Sequence, residues 1–197
     1  MTIVLPCSLT VHAYATAGRD LEIPRPNCPS CSTRMSFWGY YSRSVRVGEE
    51  ISILVRRARC MSCAVTHALL PDFVLPGRFD GIEVIGAAIE ERATGTAAAP
   101  VARRTGVPHT TLRDWCRRFL ARAQLLTVGF LAATVALGDP VPRVGIGVMT
   151  AALDAIRSTA AAARRRLGAQ GSDWAIAVRV VGGHLLSTNT NPPFLAS

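Results

Sequence analysis

Lysine is absent from this 197-residue chain, and each of its 22 basic residues is arginine. That absence fits genomic base composition and excludes little by itself. The excess of basic over acidic residues, 22 against 13 for a net charge of +9, says more. Guanidinium forks pair bidentately with phosphate and with guanine edges, so a polyanion is the favoured partner. An uninterrupted apolar run of membrane length is also missing: the best candidate, 123–138, contains Gln124 and falls short of the ~20 residues a spanning helix needs. At the N-terminus the apolar start and small-residue "AYATA" have no basic residue before Arg19, and Pro6 and His12 interrupt the run, so no signal peptide is expected. These absences predict a cytoplasmic protein with no membrane partner. Convergent carboxylates are lacking too. Asp139, Asp154 and Asp173 are scattered and no nucleophile stands with a base, so the chain is not expected to be an enzyme.

What is present is a composition of 49% hydrophobic and 18% charged residues, enough for a real core in one domain or two small ones. Two C-x-x-C pairs stand out, Cys28 with Cys31 in "NCPSCSTRM" and Cys60 with Cys63 in "ARCMSCAVT". In a reducing compartment disulfides are disfavoured, and a redox motif would need a βαβ pattern that neither pair has. Four thiolates from two tight loops suit one tetrahedral Zn²⁺ with no open position, which makes the expected ion structural. Ser32 and Ala64 stand where such loops often carry glycine for its positive φ. Cys7 reads as an unpaired thiol near the terminus, Cys116 as a small core residue, and His12 and His67 as surface or packing histidines.

Between the pairs, 36–47 is rich in aromatic and β-branched residues, Gly48, Glu49 and Glu50 supply a turn, and Ile51, Ile53 and Val55 alternate as a half-buried strand does. Strands with a cysteine loop at each end describe a zinc ribbon. Arg43, Arg46, Arg56 and Arg57 are expected to hold phosphates, with Arg34 and Arg59 adding to the basic surface. Trp38, Tyr40 and Tyr41 are expected to cover the core of so small a ribbon, base stacking being the other reading.

Two prolines in "LLPDFVLPG" mark a connector. Next, Asp80 and Glu83 have capping-box spacing ahead of Ile82, Ile85 and Ile89 on one helical face. Thr96 is placed to cap a second helix over 97–105, and Gly106 turns the chain into a third from His109. Ala102 as the small contact residue, Gly106 four later, and Val101, Val107, Leu112 and Trp115 at buried offsets predict a helix-turn-helix; Thr105 departs from the usual apolar residue. The outward face of the third helix then carries His109, Thr110, Arg113, Asp114, Arg117 and Arg118. Its early residues are expected at base edges and its later arginines at phosphates, with Arg103 and Arg104 contacting the backbone. Further on, 123–137, 145–167 and 174–186 read as helices for packing or dimerisation. Arg164, Arg165 and Arg166 are expected at a solvated helix end.

The order "CPSC", "RCMSC", "LLPDFVLPG", "LRDWCRRF" and "GGHLLSTNTNPP" resembles a bacterial family of uncharacterised zinc-ribbon, helix-turn-helix proteins over about residues 27–193. Across the ribbon and helix-turn-helix it is also similar to the DNA-binding front ends of insertion-sequence transposases, whose acidic catalytic domain has no counterpart here. The resemblance implies DNA binding without transposase activity. The expected fold is therefore α+β and mostly α. It comprises an N-terminal arm (1–26), a zinc ribbon (27–70), a linker (71–79), a helix-turn-helix domain (80–122), a C-terminal helical region (123–190) and a tail (191–197). Expected partners are double-stranded DNA, a second copy in a homodimer, and a transposase or the transcription machinery.

Overall fold

The computed structural model describes residues 2–187 and shows an α+β chain in which helix predominates. The tail expected at 191–197, and the end of the closing motif from 188 onward, lie outside the described residues. Strands β1 (Thr2–Leu5), β2 (Ser36–Arg46), β3 (Glu50–Arg59) and β4 (Thr66–Pro71) form one sheet in the order β1-β4-β3-β2. The expected hairpin is β2 and β3, paired antiparallel from Ser36↔Arg59 to Arg46↔Glu50 with a register shift between Phe37 and Gly39.

The first 26 residues are not a free arm. β1 pairs parallel with β4, and helix α1 (Val11–Ala17), capped by the Thr10 side chain on the Ala13 amide, inserts Tyr14 among Val45, Ile53, Val55, Leu70 and Val74. Cys7 packs half-buried against the same cluster instead of dangling near the terminus.

The first half of the linker, 71–75, is also buried. Leu70, Val74 and Leu75 are in the core, Phe73 meets Tyr14 edge to face at 5.3 Å, and Asp72 is shut in beside Arg179, 3.3 Å away. Burial raises the Asp72 carboxyl to about 6, outweighing the attraction of Arg179. Backbone bonds then lock the edge of the sheet to the start of the helices: Arg46 N–H donates to Phe79, Gly81 N–H to Arg46, and Ile82 N–H to Phe73.

Helices α2 (Ile82–Ala93), α3 (Ala98–Thr105), α4 (His109–Ala136), α5 (Val148–Leu167) and α6 (Asp173–Val180) build the larger core. The expected capping box does not form. Asp80 turns to Arg46 at 2.6 Å, and Glu83 accepts from the Ser172 hydroxyl. Nor does Thr96 cap α3; its carbonyl accepts from Arg92. α4 runs unbroken for 28 residues, so the boundary expected at 122/123 falls inside a helix. By length and composition alone α4 could cross a membrane, which the count over 123–138 missed. Its stripe of Leu112, Trp115, Phe119, Ala123, Leu126 and Phe130 is buried against the other helices.

α5 lies alongside α4 and runs the same way: Thr159 meets Thr134 and the Phe130 carbonyl, and Arg166 further on meets Gly138. The two threonine hydroxyls bond at 2.9 Å, so neither is left unsatisfied in that apolar seam. α6 is shorter than the helix expected over 174–186, because Gly182 and Gly183 at positive φ end it. It closes on α2 where Gly86 faces the Trp174 indole and Glu90 accepts from the indole N–H at 2.9 Å.

Candidate metal centre and basic surface

The four paired cysteines converge. Their sulfur atoms all lie within 4.8 Å of one another, with Cys28 to Cys63 at 3.5 Å, Cys31 to Cys60 at 3.4 Å and Cys31 to Cys63 at 3.8 Å. Disulfide sulfurs would be ~2.05 Å apart, whereas tetrahedral thiolates with bonds of ~2.3 Å would be ~3.8 Å apart. The donor set fits one metal ion. Cys28 and Cys60 are buried, while Cys31 and Cys63 form the outer half.

Local backbone geometry explains the convergence. Ser32 and Ala64, each directly after the second cysteine of its pair, adopt φ of 57° and 59°. No other described non-glycine residue has a positive φ. The left-handed conformation costs an L-residue ~1–2 kcal/mol, yet both loops adopt it. In each the turn closes: Ser32 N–H donates to Cys28 O, Cys28 N–H to Thr33 O, and Cys60 N–H to Val65 O. Hydrogen bonds from the Thr33 side chain and backbone hold the Cys31 thiol down to about 6. His67, the second residue of β4, is not in the cluster; it is buried, and burial lowers its pKa. His12 pairs with Glu49 on the surface at 3.5 Å.

The expected phosphate-binding arginines separate into two groups. Arg43 donates to the carbonyls of Leu75, at 2.6 Å, and Arg78, so it ties the sheet to the connector. Arg46 pairs with Asp80 and lies over the Phe79 ring, 5.1 Å from its centroid. Arg56 is sandwiched between Phe37 and Tyr40, 4.4 and 4.9 Å from their centroids, and donates to the Tyr40 hydroxyl and the Arg19 carbonyl. These three are committed to the fold and leave little guanidinium for a phosphate. Arg57 is exposed, and among the described residues its one hydrogen bond is a 3.4 Å contact to the Thr66 hydroxyl.

At the α3 to α4 turn, Gly106 has φ 66°, Val101, Ala102, Val107, Leu112 and Trp115 are buried, and the Thr105 hydroxyl bonds back to Val101 O. Thr105 is thus accommodated by internal satisfaction in place of apolar contact. His109, Thr110 and Arg113 are exposed on the first turns of α4, and Arg103 on α3; Arg103 and Arg113 have no partner among the described residues. Arg104 is held by Glu91. Asp114 is not an outward contact: it accepts from Arg118 at 2.5 Å and Arg117 at 2.6 Å, with Arg78 at 3.9 Å, and those hydrogen bonds, Arg118 first, lower its pKa. Arg118 is half-buried by this pairing, whereas Arg117 remains largely exposed. Arg164 pairs with Asp173, and Arg165 and Arg166 with Asp139.

A sheet end carrying four converging thiols, joined to a five-helix body with an open basic corner, is the class of molecule the geometry defines. Residues 28–115, from the first cluster cysteine to Trp115, match the model of a family described as a domain of unknown function (DUF6431). No curated protein and no solved structure matches the chain.

Proposed function

We propose that this chain is a sequence-specific double-stranded DNA-binding protein, a transcriptional regulator or transposition accessory factor of the bacterial cytoplasm, with one structural zinc ion. The observation that carries the reading is the corner at Gly106. A small-residue contact at Ala102 and a left-handed turn set α3 across the start of α4, and the exposed side chains there are basic or hydrogen-bonding. In a helix-turn-helix the first turns of the second helix enter the major groove, so His109, Thr110 and Arg113 would face base edges. Arg103 and Arg117 would meet phosphates. Zinc suits a closed set of four thiolates and would act as scaffold, since four protein ligands leave no position for substrate.

Replacing Arg113 with alanine tests the assignment. Loss of a bidentate base contact is worth about 1–3 kcal/mol and relaxes specificity at one position, whereas Arg103→Ala would weaken all sequences alike and flatten the salt dependence. A second reading, a protein-interaction module recruiting a transposase or polymerase, is favoured by one feature. Leu125, Val128, Ala132 and Val135 form an exposed apolar stripe on α4 with 3-4-3 spacing. The same stripe would serve a homodimer. Under this reading Arg113→Ala with Arg117→Ala abolishes DNA binding but spares partner capture.

A further inference from the structure

Trp38 does not cover the ribbon core. It is 58% exposed, at the point where the β2 to β3 register shifts between Phe37 and Gly39. A bulge re-aims a side chain out of the alternating pattern, and glycine beside it permits the bend. The aromatics that do serve the fold are Phe37 and Tyr40, gripped by Arg56. Trp38 instead carries the Arg59 guanidinium over its ring, 4.7 Å from the centroid. Arg57, two residues before Arg59, projects from the same side of β3 and is exposed. Neither arginine forms an ion pair among the described residues. Here an exposed indole, stiffened by a cation, stands next to unneutralised positive charge.

We infer that Trp38, Arg57 and Arg59 form a stacking site for an unpaired nucleobase of single-stranded DNA, the indole taking the base and the arginines its flanking phosphates. An indole face accepts any base but reaches one only when that base is out of a duplex stack, so the occupant is a single strand. The charge complementarity favours a polyanion over an apolar protein segment. The site is independent of the corner at Gly106, and it would let one chain hold a duplex and an opened strand together.

The protein supplies its own reporter. Trp115 and Trp174 are 1% and 5% exposed, so Trp38 is the tryptophan open to an added quencher. Titrating the zinc-loaded full chain with oligo(dT) should quench the iodide-accessible emission and then protect it from iodide. Inorganic polyphosphate, which has charge but no base, should leave that emission unchanged. Trp38→Ala should weaken oligo(dT) binding about tenfold, Trp38→Phe should retain most of the affinity while losing the signal, and Arg59→Gln should fall between. Unchanged emission with oligo(dT), equal quenching by polyphosphate, or wild-type affinity in Trp38→Ala would overturn the inference. Arg113→Ala is expected to keep the oligo(dT) response, so failure of duplex recognition and failure of this site are read separately.

Discussion

The cysteine-bearing end of the sheet and the helical body solve the same problem by different means. Around Cys28 and Cys60 the buried apolar set is small, Met35, Ala58 and Leu69 with Ile3, Leu5 and Phe37 at its edge. The helices share a continuous core running from Leu75 through Trp115, Phe119 and Phe130 to Leu186. A cluster as slight as the first cannot offset the entropy of ordering two loops, especially with Ser32 and Ala64 in a disfavoured conformation. Metal binding would make up the difference at the sheet end, whereas close packing suffices in the helices. Labour would then be divided: ligation would order the sheet end and leave its side chains free to be exposed, while burial orders the body.

Removing the cysteine ligands should have the largest effect. Cys31→Ser with Cys63→Ser, or treatment with a chelator, is expected to abolish bound metal and amide protection over 27–35 and 58–66. Helical circular dichroism should be largely kept, and a structural site of this type contributes on the order of 10 kcal/mol. Next in size, Gly86→Ala attacks the helical body. Its added Cβ would sit 2.3 Å from the Trp174 indole nitrogen, so α6 must move, and a loss of about 1–3 kcal/mol in denaturant unfolding is expected with metal content unchanged.

Asp72, between the two regions, supplies a pH dependence. Its carboxyl titrates near 6 in the fold, above the ordinary 3.8, so the folded state holds the proton more tightly than the unfolded chain. Stability is therefore highest below the unfolded value and declines as pH rises through the window from about 4 to 6, by about 2 kcal/mol. Asp72→Asn should remove that decline in urea titrations run across the window. The smallest effect is expected in the loops themselves: Ser32→Gly and Ala64→Gly should each stabilise the metal-loaded sheet end by about 0.5–1 kcal/mol, seen as slower amide exchange in the two loops.

The cysteine pairs, the β2 to β3 hairpin and the Gly106 turn were legible because each rests on local spacing. Features set by distant partners were not. β1 is four residues, Thr2–Leu5, whose only reason to be a strand is its parallel pairing with β4 more than sixty positions away. Asp80 has a capping residue's spacing, but Arg46 from the sheet competes for its carboxylate and wins at 2.6 Å. α4 shows no breaker at 122, so an expected boundary there had no physical basis. Arginine density pointed to a basic ribbon, yet Arg43, Arg46 and Arg56 are used internally by Leu75, Asp80 and Tyr40. Gly39 inside a strand was the available sign that Trp38 would be turned outward.

The most direct test of the central claim is a random-sequence duplex selection with the zinc-loaded protein, followed by a salt titration on the recovered site. Enrichment of a short motif is expected, its binding weakening steeply and linearly in log–log form as salt rises, with a slope reduced by about one in Arg103→Ala. Recovery of no motif, together with no salt-dependent binding to any duplex, would contradict it.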